Sequence, residues 1–328
     1  MGGKNAATAC RSGRYNLRRS AFTTTSSLQL SPADMTGWTV DKVLEASSNQ
    51  LVNENVPEPH ESVQHLLADA LSLPWETGFR DVRYQNDRTL TSEEAQEFAA
   101  KLTRRQRHEP IQYILGKWDF LDYTVTIKPP LLCPRPETEE LVVKVVEETT
   151  ESPIHILDVG CGTGVIGIAL AEMLPDATVE AIDIDPVAVE VSKENAAKVL
   201  GETFQRDCYN VQLVSAEDYS PDHHFDIVVS NPPYIPLTDR ASISTDVVDF
   251  ENERALFAGE DGMDVIRIII RQLSSWCNSG AVCWMEVDPT HPQMIEEWVN
   301  STPELQVNFE SAHKDLFGKD RFVKLSVK

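Results

Sequence analysis

The sequence predicts an α/β fold, and three observations predict it. From Pro153 onward, apolar strand-like runs alternate with helical ones. A glycine-rich turn, Gly160 to Gly164, joins one such strand to one such helix, and a proline-rich loop, "SNPPYIP" at 230–236, ends another. Repeated β-α alternation gives a sheet built mainly of parallel strands, with helices on both faces. At 328 residues the chain has room for two domains, or for one large α/β domain with an appendage.

Composition narrows the class. A hydrophobic content of 41% with 25% charged residues is that of a soluble globular chain, and no apolar run approaches the roughly eighteen residues of a membrane span. The net charge is −23, yet residues 1–33 hold Lys4, Arg11, Arg14, Arg18 and Arg19 and no acid, so taking these five from the total leaves −28 on the remainder. So acidic a body repels phosphate backbones, and a nucleic acid is not expected as the direct partner. The six cysteines show no C-x-x-C spacing and no nearby histidine pair of the zinc-site kind, so no metal is expected.

Taken in order, residues 1–33 are basic, rich in Ser and Thr and acid-free. That is the composition of a mitochondrial transit peptide, since no long apolar stretch of a secretory signal follows. Residues 34–116 follow a helical pattern: "VDKVLEASS", "ESVQHLLADALSL" and "SEEAQEFAAKLTRRQR" repeat apolar residues at i, i+3 and i+4. They read as a small helical domain. Residues 117–137 supply a short aromatic and β-branched hairpin and then prolines, a linker. Residues 138–328 carry the alternation: "IHILDVG", "VIGIALAEML", "ATVEAIDID", "VAVEVSKENAAKVL", "VQLVS", "FDIVVSN", "GMDVIRIIIRQLSSW", "GAVCWMEVD", "PQMIEEWVN" and "RFVKLSVK".

The first candidate site is the turn Asp158-Val159-Gly160-Cys161-Gly162-Thr163-Gly164. Glycine belongs there because a Cβ would block the tight turn and a ligand's approach to the backbone. Gly162-x-Gly164-x-x-Gly167 also matches the dinucleotide fingerprint, and Asp183 ends the next strand, where its carboxylate can accept ribose hydroxyls. A nicotinamide enzyme therefore competes on this loop alone. An acid ahead of the first glycine is instead similar to the S-adenosylmethionine loop of Rossmann-like methyltransferases, in which Asp158 would help position the ligand's ammonium.

The second candidate is Asn231-Pro232-Pro233-Tyr234. Proline lacks an N–H and fixes φ, so this segment is a stiff loop at a strand's carboxyl end, the edge where α/β proteins place ligands. Its chemistry suits methyl transfer to a planar nitrogen, whose lone pair is delocalised. With the Asn231 side-chain oxygen and the Pro232 carbonyl accepting two N–H bonds, that nitrogen is aimed at the methyl carbon and its developing charge is stabilised. Pro233 keeps the carbonyl aimed, and Tyr234 offers an aromatic face to the substrate.

The chain resembles the HemK/PrmC-type protein-(glutamine-N5) methyltransferases. The resemblance rests on "EPIQYILGKWDF", "LLCPRPETEELV", "DVGCGTGVIGIAL", "SNPPYI", "ENERALFAGEDGMDVIRIII" and "KDLFGKDRFV", in that order. It implies a class I Rossmann-like methyltransferase with a seven-stranded sheet, preceded by a helical substrate-recognition domain and a β-hairpin linker. It also implies S-adenosylmethionine as cofactor, held by Asp158, Gly160, Cys161, Gly162, Thr163, Gly164, Asp183 and Asn231, and a glutamine clamp at Asn231, Pro232, Pro233 and Tyr234. The substrate it implies is the glutamine of the Gly-Gly-Gln motif in a class 1 peptide release factor, here a mitochondrial one in the matrix, met by a monomer without direct nucleic-acid or membrane contact. One departure stands out: the family's adenine-side pair after the third strand is here Ser215-Ala216, followed by Glu217-Asp218. The alternatives are a ribosomal-protein glutamine methyltransferase, a DNA amino-methyltransferase and a non-catalytic cofactor-binding adaptor.

Overall fold

The computed structural model describes residues 30–150, 154–174, 176–201 and 208–328. The basic segment read as a transit peptide lies outside the described residues, apart from its last four positions.

The described residues open with six α-helices: α1 (Pro32–Met35), α2 (Val40–Asn53), α3 (Pro59–Ala70), α4 (Trp75–Asp81), α5 (Ser92–Arg105) and α6 (Ile111–Leu115). The apolar stripes of α2, α3 and α5 meet in a core that includes Leu51, Val63, Leu66, Leu67, Phe98 and Leu102. Helix α5 begins on a capping box in which Thr91 and Glu94 each satisfy the other's backbone amide.

A hairpin follows, β1 (Lys117–Phe120) and β2 (Tyr123–Thr126), paired antiparallel. Then come α7 (Pro136–Glu148), β3 (Ile154–Val159), α8 (Val165–Met173), β4 (Ala177–Asp183), α9 (Pro186–Leu200), β5 (Tyr209–Leu213) and β6 (Phe225–Ser230). The chain ends with α10 (Thr245–Val248), α11 (Glu253–Leu256), α12 (Asp264–Trp276), β7 (Cys277–Glu286), α13 (His291–Ser301), β8 (Val307–Lys314) and β9 (Asp320–Val327).

The large sheet has the order β5-β4-β3-β6-β7-β9-β8. Pairing is parallel from β5 to β7, and β9 runs antiparallel to both β7 and β8. This is the expected seven-stranded α/β sheet. One face packs against α7, α8 and α9 through Leu141, Val145, Ile168, Leu170 and Ala196, and the other against α12 and α13 through Ile266, Ile269, Leu273, Ile295 and Val299. Covered on both sides, the central strands β3 and β6 carry almost unbroken apolar runs. The sequence reading had no strand at β8, whose residues alternate inward and outward and so mix polar with apolar. Among the described residues no helix is long and apolar enough to cross a membrane.

Two side chains tie the hairpin and the first helices to the segments that follow. Asn195 of α9 accepts from the Thr126 amide at 2.7 Å and donates to the carbonyls of Thr126 and Thr163, stapling the hairpin to the glycine turn. Arg105, almost fully buried, donates to Ser62 Oγ, to the carbonyls of Glu109 and Pro57, and at 2.7 Å to Asp246 Oδ2 in α10. Removing one partner of a buried pair leaves the other charge uncompensated. Arg105→Met is therefore expected to lower stability by about 3 kcal/mol, read from urea denaturation; an unchanged unfolding midpoint would contradict the role given to this pair.

Candidate active site

The carboxyl ends of β3, β4, β5 and β6 open into a cavity of about 510 Å³. Its walls bring together Gly160, Cys161, Gly162 and Thr163 with Asp183, and these with Asn231, Pro232 and Pro233. Two motifs far apart in sequence thus share one cleft. They do so because β3 and β6 are neighbours in register, Val159 opposite Ser230, and the Ser230 hydroxyl donates to the Val159 carbonyl at 2.7 Å.

The glycine turn is fastened to β4. The amides of Gly160 and Cys161 both donate to the Ile182 carbonyl, and the Gly162 amide donates to Asp183 Oδ2 at 2.9 Å. The other Asp183 oxygen accepts from the Asp185 amide at 2.8 Å. Gly164 sits at φ +84°, and a Cβ there would come within 2.5 Å of Ser192 Oγ, so its glycine is required by packing. Gly162, at φ +55°, differs: a Cβ would meet no protein atom within 4 Å and would project into open space. Its bareness serves the cavity.

The electrostatics select the ligand. The cavity wall carries Asp183, Asp185 and Glu217 against a single guanidinium, Arg254. The amides of Gly160, Cys161, Gly162 and Gly164 are all spent within the protein. A pyrophosphate is disfavoured beside a wall with three carboxylates and one guanidinium. A cationic ligand with hydroxyls to donate fits it. Burial raises the Asp183 carboxyl, while the amides of Asp185 and Gly162 hold it back. Ile184, 53% exposed, adds an apolar surface on the wall beside it.

Asp158 does not reach this wall. It is fully buried, its Oδ2 accepts from the Gly167 amide at 3.0 Å, and its Oδ1 has no partner among the described residues. Asp158 ties β3 to the first turn of α8 and does not itself line the cavity. Gly164 does not line the cavity, nor does Tyr234, whose hydroxyl donates to Glu286 Oε1 at 3.2 Å. The segment after β5 is on the wall, through Val214, Ser215, Ala216 and Glu217, so the pair that departs from the family pattern still borders the cleft.

Sequence reasoning left several neighbours unassigned. Thr138, in "PRPETE", accepts from Asn231 Nδ2 at 3.0 Å and donates to Glu286 Oε2 at 2.7 Å. Arg135 is the N-cap residue of α7 but makes no side-chain capping bond; its Nη2 meets the buried Glu251 carboxylate at 2.8 Å. Asn252 spans the cleft's mouth, with its amide N–H on the Pro130 carbonyl and its Nδ2 on Asp185 Oδ2 at 3.1 Å. Thr138 and Asn252 fall within stretches that carry the family resemblance, though with no role assigned there; Glu286 lies outside them all.

Two family models match the chain, "PrmC N-terminal domain" over residues 42–116 and "Methyltransferase small domain" over residues 137–250. Among similar proteins, the MTRF1L release factor glutamine methyltransferase of Homo sapiens is 33% identical over 281 residues, 82% of this chain and 81% of that one. The release factor glutamine methyltransferase of Streptococcus pneumoniae is 32% identical over 264 residues, 78% of this chain and 90% of that one. That of Mycolicibacterium smegmatis is 35% identical over 229 residues, 69% and 78% of the two chains.

The orphaned Asp158 oxygen has a consequence in solution. Burial, first, and the nearby Asp183 charge push its carboxyl from the ordinary 3.8 up to about 7, against the Gly167 amide. Folding therefore takes up a proton between these values. The Asp158 contribution to stability is greatest below about pH 4, declines as pH rises to about 7, and is flat beyond. Asp158→Asn is expected to lose this decline, so that the difference between the two denaturation profiles changes from pH 4 to 7; profiles that run parallel over that range would contradict it.

Proposed function

The chain belongs to the release factor glutamine methyltransferases, and from that membership we propose that it transfers a methyl group from S-adenosylmethionine to the N5 nitrogen of the Gly-Gly-Gln glutamine in a mitochondrial class 1 release factor. The observation that carries the reading is the placement of Asn231 and Pro232 on the same cavity wall as the glycine turn and Asp183.

The residues present fit the cofactor. At Gly162 a Cβ would protrude into the space a ligand takes, and the wall is rich in carboxylates. Asp183 is the acceptor for ribose hydroxyls, Ile184 and the segment 214–217 flank the base, and the acidic wall favours the positive charges at the other end. When bound, S-adenosylmethionine supplies an electrophilic methyl group on a cationic sulfur. Asp158 acts on this site through the backbone, by fixing the turn.

At the clamp, Asn231 Nδ2 is tied to Thr138, which leaves Oδ1 without a protein partner among the described residues. Oδ1 and the Pro232 carbonyl accept the two N–H groups of the glutamine amide. That orients the nitrogen and stabilises the positive charge it gains as its lone pair bonds the methyl carbon and the sulfur–methyl bond breaks, the surplus N–H proton then passing to water. Pro233 stiffens the loop, and the chain past Tyr234 is held by the pairing of Ile235 with Leu256 and Ala258. Residues 34–116, the helical unit, grip the release factor. The acidic body complements a basic factor that works on ribosomal RNA and raises the rate of encounter. The enzyme acts as a monomer, without direct contact to nucleic acid or membrane.

Three outcomes are expected. Mass spectrometry of the release factor after incubation with enzyme and S-adenosylmethionine finds the Gly-Gly-Gln peptide heavier by one methylene, and Asn231→Ala slows this transfer by about 100-fold or more with cofactor affinity within a few fold. Unmodified glutamine with the wild-type enzyme would overturn the substrate, and substantial activity in Asn231→Ala the clamp. Gly162→Val removes cofactor binding in calorimetry while the protein stays folded, because a β-branched side chain both strains the turn and fills the cavity; unaltered affinity would put the cofactor elsewhere. A reporter fused to residues 1–33 accumulates in the mitochondrial matrix; a cytosolic reporter would overturn the location and leave the chemistry standing.

A further inference from the structure

An asparagine clamp has a problem that an aspartate clamp lacks. The two ends of its side-chain amide have nearly the same shape and opposite hydrogen-bonding character. Turned one way, Asn231 offers the glutamine amide an acceptor. Turned the other way, it offers an NH₂ group to another NH₂ group, and the clamp repels what it should hold. Something outside the asparagine has to choose.

The buried side chains behind the clamp make that choice. Glu286 ends β7, beside β6, with Ser230 opposite Met285 in the register, and it is 1% exposed. It receives two hydroxyl bonds, from Thr138 to Oε2 at 2.7 Å and from Tyr234 to Oε1 at 3.2 Å. An ionised carboxylate only accepts. The single proton of Thr138 is thereby spent on Glu286, and Thr138 Oγ1 has only lone pairs to turn toward Asn231. The amide end that faces it must be the NH₂ group, as the 3.0 Å bond from Asn231 Nδ2 records.

We infer that Glu286, acting through Thr138, is the positioning residue that fixes which end of the Asn231 amide faces the acceptor glutamine. Burial raises the Glu286 carboxyl, and the bonds from Thr138 and Tyr234 and the Arg321 guanidinium draw it back toward the ionised form, against the Glu137 charge. The relay is directional. Its polarity starts at the carboxylate, passes through the hydroxyl and ends at Asn231 Oδ1 on the cavity wall.

Glu286→Gln keeps the shape and removes the direction. A glutamine NH₂ group can donate to Thr138, which frees the threonine proton for Asn231 Oδ1 and lets the amide turn over. The inference rests on the glutamine-clamp reading, so the experiment has one arm that needs turnover and one that does not. In the first, Glu286→Gln and Thr138→Val are expected to lower kcat for methylation of the release factor by about 100-fold, while KM for the factor and the affinity for S-adenosylhomocysteine stay within a few fold. Thr138→Ser, which retains the hydroxyl, is expected to keep kcat near the wild-type value.

In the second arm the protein is labelled with ¹⁵N-asparagine, and the Asn231 side-chain NH₂ signals are identified by their loss in Asn231→Asp. They are expected to be shifted and slow to exchange in the wild type and in Thr138→Ser, and to move and exchange quickly in Glu286→Gln. Wild-type kcat in Glu286→Gln, or equal losses of kcat in Thr138→Ser and Thr138→Val, would overturn the relay. So would Asn231 signals unchanged by Glu286→Gln. A wild-type enzyme that leaves the release factor unmethylated while the Asn231 signals respond as described would sink the substrate reading and uphold the relay.

Discussion

The parallel pairing of β3 with β6 is the constraint on which the site depends. Val159 and Ser230 are 71 residues apart in sequence and opposite one another in the sheet, joined by the buried bond from Ser230 Oγ to the Val159 carbonyl. Each strand delivers one loop at its carboxyl end, the glycine turn from β3 and the proline loop from β6. The order β4-β3-β6-β7 also reverses direction between β3 and β6, so the two loops part there and leave a crevice. A slip of one residue would turn Asn231 away from the crevice, and it would also force the buried Ile227, Val228 and Val229 onto the opposite faces of the sheet, into packing shaped for other side chains. The hydrophobic core thereby fixes the geometry of the chemistry.

Around that crevice the protein holds an unusual amount of buried charge. Asp158, Asp183, Glu251 and Glu286 all have carboxyls raised by burial, and each is held by specific bonds: to the Gly167 amide, to the amides of Gly162 and Asp185, to Arg135, and to the hydroxyls of Thr138 and Tyr234. Such groups add little net stability, because desolvation offsets most of their attraction. What they supply is direction. Each carboxylate orders a backbone turn or a hydroxyl, and the ordered groups line the cavity or support what lines it. The segment from α10 to α11 belongs to the same scheme, tied to the helical unit by Arg105 and Asp246 and to the cavity's mouth by Asn252. The part of the molecule assigned to gripping the substrate is thus mechanically joined to the wall that faces the cofactor.

Much of this was legible in the sequence. Glycines at 160, 162 and 164 with an acid at the end of the following strand, and prolines just after "FDIVVS", are local signals that need no knowledge of the rest of the chain. What escaped was of three kinds. Residues whose role depends on distant partners gave no signal of that role: Thr138 and Glu286 are 148 positions apart, and Glu286 reads as an ordinary polar end to the apolar run "AVCWM". Orientation escaped as well. Asp158 and Tyr234 both belong to motifs that face the ligand, yet one side chain points into the core and the other toward Glu286. A motif fixes the path of the backbone more firmly than the direction of each side chain along it. Strand β8 was missed for a third reason, since at the sheet's edge only alternate residues are covered and the apolar density falls below that of the central strands.

The account's central claim is that a glutamine amide is held by Asn231 and Pro232 within reach of a cofactor seated on the glycine turn. The most direct measurement is a crystal structure of the enzyme with S-adenosylhomocysteine and a Gly-Gly-Gln peptide. The account predicts the glutamine N5 nitrogen at about 3 Å from both Asn231 Oδ1 and the Pro232 carbonyl oxygen, with the cofactor's sulfur facing it. A glutamine bound with its carbonyl oxygen, rather than its nitrogen, toward Asn231, or a peptide seated outside the β3–β6 crevice, would contradict it.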